Sequence, residues 1–222
     1  STPIKSSAAS DVYKRQFINK RLFLKRIANH LIVNTSGLDN IGLYYGKMGI
    51  VLFFVHYARY VENLVYEDYA SELLDEVYED ICDETPLNFS NGLCGIGWSI
   101  LYLLENNLMT GDPDQILIDV DKRIMEWDLS RLTDFSMETG LKGLSCYIKK
   151  RVDVSSRLSG QKPFDESYLL SWKKSIMHLS DEKTPKLLSF ISEEVKFDDE
   201  LQHCLLGLHN GCAGCGLQLM SI

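Results

Sequence analysis

The chain has 222 residues, 45% hydrophobic and 24% charged, enough apolar mass to fill a real core and too much for a disordered chain. A formal charge of −8 argues against nonspecific binding to nucleic acid or to an anionic membrane, and would suit a basic peptide partner. The longest apolar run, residues 49–57, is far short of the roughly 20 residues a membrane span needs.

The chain opens with a stretch that does not read as fold. Asp11-Val12-Tyr13-Lys14-Arg15-Gln16 resembles the one-frame translation of a transposon end used in sequencing. Residues 1–16 are therefore read as a disordered library scar, with folded sequence over 17–222 and further sequence expected upstream. Residues 17–33 carry Leu22, Ile27 and Leu31 among basic residues and predict a surface helix. Residues 50–60 are apolar on nearly every side, the mark of a buried helix. From Val65, Leu73, Val77 and Ile81 recur at helical spacing, with Glu67, Asp68, Glu72 and Glu76 opposite, so that helix has one wet face.

The cycle repeats. Residues 96–104 predict a second buried helix. Asp112-Pro113 is a start signal for a helix carrying Ile116, Val120, Ile124 and Trp127. Residues 144–152 predict a third buried helix, and 152–161 a polar loop. Tyr168, Leu169, Trp172, Ile176 and Leu179 predict an amphipathic helix, and Thr184-Pro185 opens another through Val195.

Each buried helix is led by a glycine pair: Gly46 and Gly49, Gly92 and Gly95, Gly140 and Gly143, Gly211 and Gly214. The first three pairs begin 46 and 48 residues apart, and the last follows after 71. Paired glycines at such a period signal a repeat architecture, each pair allowing a tight turn and a close backbone approach. The expected fold is all-α: helical hairpins with buried inner and half-wet outer helices, forming part of an α/α-toroid. An open helical solenoid is the competing architecture.

Ser90-Asn91-Gly92-Leu93-Cys94-Gly95-Ile96-Gly97-Trp98, with Tyr45-Gly46-Lys47-Met48-Gly49-Ile50 and Leu208-His209-Asn210-Gly211-Cys212-Ala213-Gly214, resembles lanthionine synthetase C-like proteins. The resemblance runs from about residue 40 onward. It implies a seven-repeat toroid, of which four repeats would be about half, and so a partial domain over 17–222. It also implies a peptide-modifying role in bacterial lantibiotic biosynthesis, and a zinc ion held by two cysteines and a histidine. That zinc would activate a peptide cysteine thiol for addition to a dehydrated serine or threonine.

The ligand motifs that the resemblance implies, Trp-Cys-x-Gly and Cys-His-Gly, do not occur here. Aligned on the glycines, His209 and Asn210 stand where cysteine and histidine should, and Glu138 stands at the other cysteine position. A site of Glu138, His209 and a cysteine is the least improbable metal centre. Cys212 and Cys215 have the spacing of a metal or redox pair, with His203 and Cys204 upstream, but a lone pair is half a tetrahedral site. Both also occupy small buried repeat positions, where cysteine behaves as a compact apolar residue.

Cys94 and Cys146 read as core; the six cysteines, Cys82 among them, are scattered with no spacing that suggests a disulfide framework, and a reduced, cytoplasmic compartment is the default. His30, His56 and His178 read as structural. A carbohydrate-acting toroid would need paired carboxylates, and Glu138 is the one candidate in the glycine turns. Two readings remain: a peptide-modifying protein, or a non-catalytic toroid that binds a peptide or protein partner. Half a ring would also expose an apolar flank through which copies could associate.

Overall fold

The computed structural model describes residues 5–158, 160–177, 185–191, 201 and 204–220, with side chains from residue 20 onward. The described residues form helices α1 (Lys5–Thr35), α2 (Lys47–Val61), α3 (Val65–Glu79), α4 (Leu93–Glu105), α5 (Pro113–Ile116), α6 (Ile118–Met125), α7 (Leu141–Leu158), α8 (Glu166–Ser175) and α9 (Cys212–Met220). Short 3-10 turns cover Leu129–Arg131 and Leu187–Phe190. Among the described residues there is no strand, only an isolated bridge between Leu205 and Gly211. The protein is all-α.

The inner and outer layers differ as their sequences do. α2 buries eleven of its fifteen residues and α4 eleven of thirteen. α3, packed on α2, buries only Ala70, Leu73 and Val77. α6, packed on α4, buries Val120, Asp121 and Ile124. Phe53, Phe54 and Trp98 are almost fully enclosed. Burying an aromatic side chain of this kind stabilises by roughly 2–3 kcal/mol, so the inner helices carry most of the core.

The inner helices start in one recurring way. α2 and α4 have no side-chain cap; a glycine, Gly46 or Gly92, stands at the cap in extended conformation. The orphan N–H groups of the first turn are satisfied by carbonyls seven residues upstream. Lys47 N–H donates to Asn40 O at 2.8 Å, Leu93 N–H to Pro86 O at 2.9 Å, Leu141 N–H to Asp134 O at 2.9 Å and Cys212 N–H to Leu205 O at 2.7 Å. A Cβ on Gly92 would run into the Pro86 carbonyl, and one on Gly95 into the Phe89 carbonyl. The glycine pair therefore lets the preceding loop fold back and cap the helix with its own backbone.

The repeats are not arranged in sequence order. Gly143 of the third copy packs on Phe89 of the second, Gly95 of the second on Leu43 of the first, and Gly49 of the first on Leu208 of the fourth. α9 packs against α2 and α1. The spatial order is thus fourth, first, second, third: the last copy docks on the free side of the first.

Four elements differ from the sequence expectation. α1 starts at Lys5, inside the stretch expected to be disordered; between Pro3 and Gly37 there is no proline or glycine to stop a helix. The helix after Pro113 breaks at Leu117 into α5 and α6. α7 runs through the expected polar loop to Leu158, because its polar residues have buried partners. Arg151 is held by Asp114 at 2.8 Å and Asp121 at 2.9 Å, and Ser155 donates to Asp114 at 3.0 Å. The helix expected from Thr184 to Val195 is, in its described part, only a 3-10 turn that ends in extended backbone at Ile191.

Candidate functional site

The copies meet at one position, two residues before the first glycine of each pair. It is occupied by Tyr44, Ser90, Glu138 and His209. These four are strung together by backbone bonds. His209 N–H donates to Tyr44 O at 2.9 Å, Tyr44 N–H to Ser90 O at 2.8 Å, and Ser90 N–H to Glu138 O at 2.9 Å. The row lies at the end of the array where the inner helices begin, which we term its mouth.

Side chains at the mouth stack rather than ligate. The His209 ring lies flat on Tyr44, with centroids 5.1 Å apart and planes 9° apart, and meets Tyr45 edge-on at 5.8 Å. His209 Nδ1 is 3.1 Å from the Phe190 carbonyl. A carbonyl only accepts, so that contact assigns the ring proton to Nδ1. Glu138 is exposed. Burial, and then the Glu138 charge, push the Tyr44 phenol well above its ordinary range, and the same two causes raise Tyr45. Both tyrosines are neutral donors at physiological pH.

Beside this row lies a buried aromatic cluster. Phe190 is buried, with its ring 6.1 Å from Tyr44, 5.1 Å from Phe89 and 4.8 Å from Trp98. Leu187 and Ile191 are buried with it. Offset and edge-to-face pairs of this kind add roughly 0.5–1.5 kcal/mol each beyond burial.

The four candidate ligands do not form one group. Glu138 and His209 stand at opposite ends of the row, with Ser90 and Tyr44 between them. Cys212 and Cys215 lie buried in the first turn of α9. Burial pushes both thiols up to about 12, and the neighbouring Cys204 adds to this. A zinc ligand must be a thiolate at neutral pH, and these environments oppose that form. Among the described residues no three His, Cys, Asp or Glu side chains come together to hold a metal ion. The donor set therefore does not fit a catalytic zinc, which needs about three protein ligands around one open position.

The other singled-out residues are placed as follows. Cys94 and Cys146 are buried between inner helices, and Cys82 is exposed. His56 Nε2 is 2.9 Å from the Tyr102 hydroxyl, and His30 bonds to Asn34. His178 and His203 lie outside the described residues. Tyr44, Tyr45 and Phe190 are the site residues that sequence reading passed over. Tyr44 was recoverable, since it occupies the same repeat position as Glu138 and His209. Phe190 carries no local signal, because its segment reads as an ordinary apolar helix.

No helix among the described residues is long and apolar enough to cross a membrane. No curated protein and no solved structure gives a significant match to the chain. The family model for lanthionine synthetase C-like proteins matches residues 37–222, from just before the first glycine pair onward. That span contains all four backbone-capped helix starts and the row that joins them, and the chain belongs to the lanthionine synthetase C-like family.

Proposed function

We propose that this chain binds a peptide at the mouth formed by Tyr44, Tyr45, Glu138 and His209, and does so without activating a thiol through zinc. The observation that carries the reading is the identity of this row. The two positions where the family resemblance asks for cysteine hold Glu138 and His209, and they stand in one row with Tyr44 and Ser90, tied by backbone bonds and by the stacking of His209 on Tyr44. The row and the adjacent Tyr45 offer an exposed carboxylate, a half-buried phenol and an aromatic stack. Those groups suit the backbone and basic side chains of a peptide, in keeping with a chain of net charge −8.

The test uses a basic peptide containing one cysteine and one dehydroalanine, titrated into isotope-labelled protein with and without added zinc. Backbone signals of Tyr44, Tyr45, Glu138 and His209 are expected to shift on binding, and Glu138→Gln to weaken binding several-fold. Thioether closure leaves peptide mass unchanged, so free thiols are counted by alkylation. Their number is expected to stay constant. A zinc-dependent fall in free thiol would overturn the reading, as would binding that leaves the mouth unperturbed.

A further inference from the structure

A second site lies at the opposite end of the inner helices from the mouth. A cavity of about 490 Å³ opens there, lined by Trp98, Tyr102, Glu105, Lys150, Leu187 and Leu188 among others. That volume is in the range of small-molecule sites, roughly 300–1,000 Å³. Tyr102 and Glu105 come from the last turn of α4, and Lys150 from the second half of α7. Trp98 separates the cavity from the Phe190 plug, since its ring meets Phe190 edge-on.

The lining combines two kinds of surface. Trp98 and Tyr102 lie nearly parallel, with centroids 5.6 Å apart and planes 15° apart, and Leu187 and Leu188 add aliphatic wall. Between these stands a buried cation. The Lys150 side chain is 8% exposed, and its ammonium sits 5.1 Å from the Trp98 centroid and 5.9 Å from that of Tyr102. Lys150 has three N–H donors, and one reaches Glu105 at 2.6 Å.

Charge decides the ligand class. Arg157 is paired with both Glu105 and Asp153. Asp153 and the exposed Lys186 also line the cavity. The lining thus carries two cations, Lys150 and Lys186, against two carboxylates, and Arg157, just outside it, supplies a third cation paired with both carboxylates, on a chain that is strongly acidic overall. Water screens a buried ammonium less than an exposed one, so its pull on an anion at a given distance is stronger. We propose that this cavity binds a small carboxylate with an apolar or aromatic body. Lys150 receives the carboxylate, and Trp98, Tyr102 and Leu187 receive the body. The carboxylate comes either from a free organic acid or from the carboxy terminus of a short peptide.

The test is calorimetric titration of the full chain with four probes: 4-phenylbutyrate, its neutral amide, a tripeptide ending in phenylalanine, and the same tripeptide amidated. Saturable binding of an acid at millimolar concentration or tighter is expected, with its amide at least tenfold weaker. Whichever acid binds tighter identifies the source. Lys150→Met should abolish the preference for the acid. Glu105→Gln should strengthen acid binding, because it frees the ammonium; a merely structural role would weaken binding in both variants. Equal binding of acid and amide, or no saturable binding of any probe, overturns the proposal. Both of those results come from the unaltered protein, so a variant that fails to fold does not shield it.

Discussion

The backbone N–H of His209 donates to the carbonyl of Tyr44 at 2.9 Å, joining the last glycine copy to the first. The same junction is sealed lower down by Gly216, where a Cβ would strike the Phe53 ring. Gly216→Leu should therefore lever α9 off α2 and destabilise the chain by about 3 kcal/mol, as overpacking of a tight interface does. Chemical denaturation read by far-UV circular dichroism checks this. A neutral result would mean that α9 is not docked there.

The glycine pairs are required for close approach and not for composition. Gly95→Ala drives a methyl into the Phe89 carbonyl. It should cost about 3 kcal/mol or more, since backbone has to move. Gly37 has only one atom near its would-be Cβ, Asn34 O at 3.9 Å. Gly37→Ala should be neutral or stabilise by roughly 0.5 kcal/mol, by restricting the unfolded chain. Urea midpoints of the two variants, measured side by side, separate the two mechanisms.

Arg151 ties α7 to α5 and α6 through buried bonds to Asp114 and Asp121, and Asp121 also accepts from the Tyr147 hydroxyl at 2.6 Å. Removing the guanidinium strands carboxylates in the core. Arg151→Met should cost about 3–5 kcal/mol, the usual effect of breaking a buried pair from one side. Thermal unfolding of the variant measures it, and a loss below about 1 kcal/mol would argue that this network is open to water.

His56 sets an acid limit. Burial, helped by Arg59, holds its ring down to about 4, below the ordinary 6.5. A histidine with a depressed folded pKa favours folding only while neutral. Its contribution is present above about pH 6.5 and is lost as pH falls towards 4. The full loss is up to roughly 3 kcal/mol. Stability of His56→Gln should fall less than that of the parent over this window. Parallel curves for the two proteins would show that His56 titrates as if exposed.

Much of the fold was legible because it rests on periodic burial. The all-round apolar runs of α2 and α4 and the one-sided pattern of α3 are local properties, and the glycine pairs mark the inner-helix starts. The extent of α7 was not legible. Ser155 looks like a loop residue until Asp114 is brought to it from another element, and the same partners hold Arg151 one turn earlier. The same holds at the mouth. Glu138 and His209 were found by aligning glycines, but their separation depends on which copies are neighbours, and no local pattern fixes the order fourth, first, second, third. Phe190 is not legible in the sequence, because its role comes wholly from the rings of Tyr44, Phe89 and Trp98 around it.

The central functional claim concerns metal, and elemental analysis of the purified chain after dialysis against zinc tests it most directly. The donor arrangement predicts well under one zinc per chain, unchanged by His209→Ala or Glu138→Ala. One tightly held zinc per chain, lost in either variant, would contradict the account and restore the thiol-activating centre that the family resemblance implies.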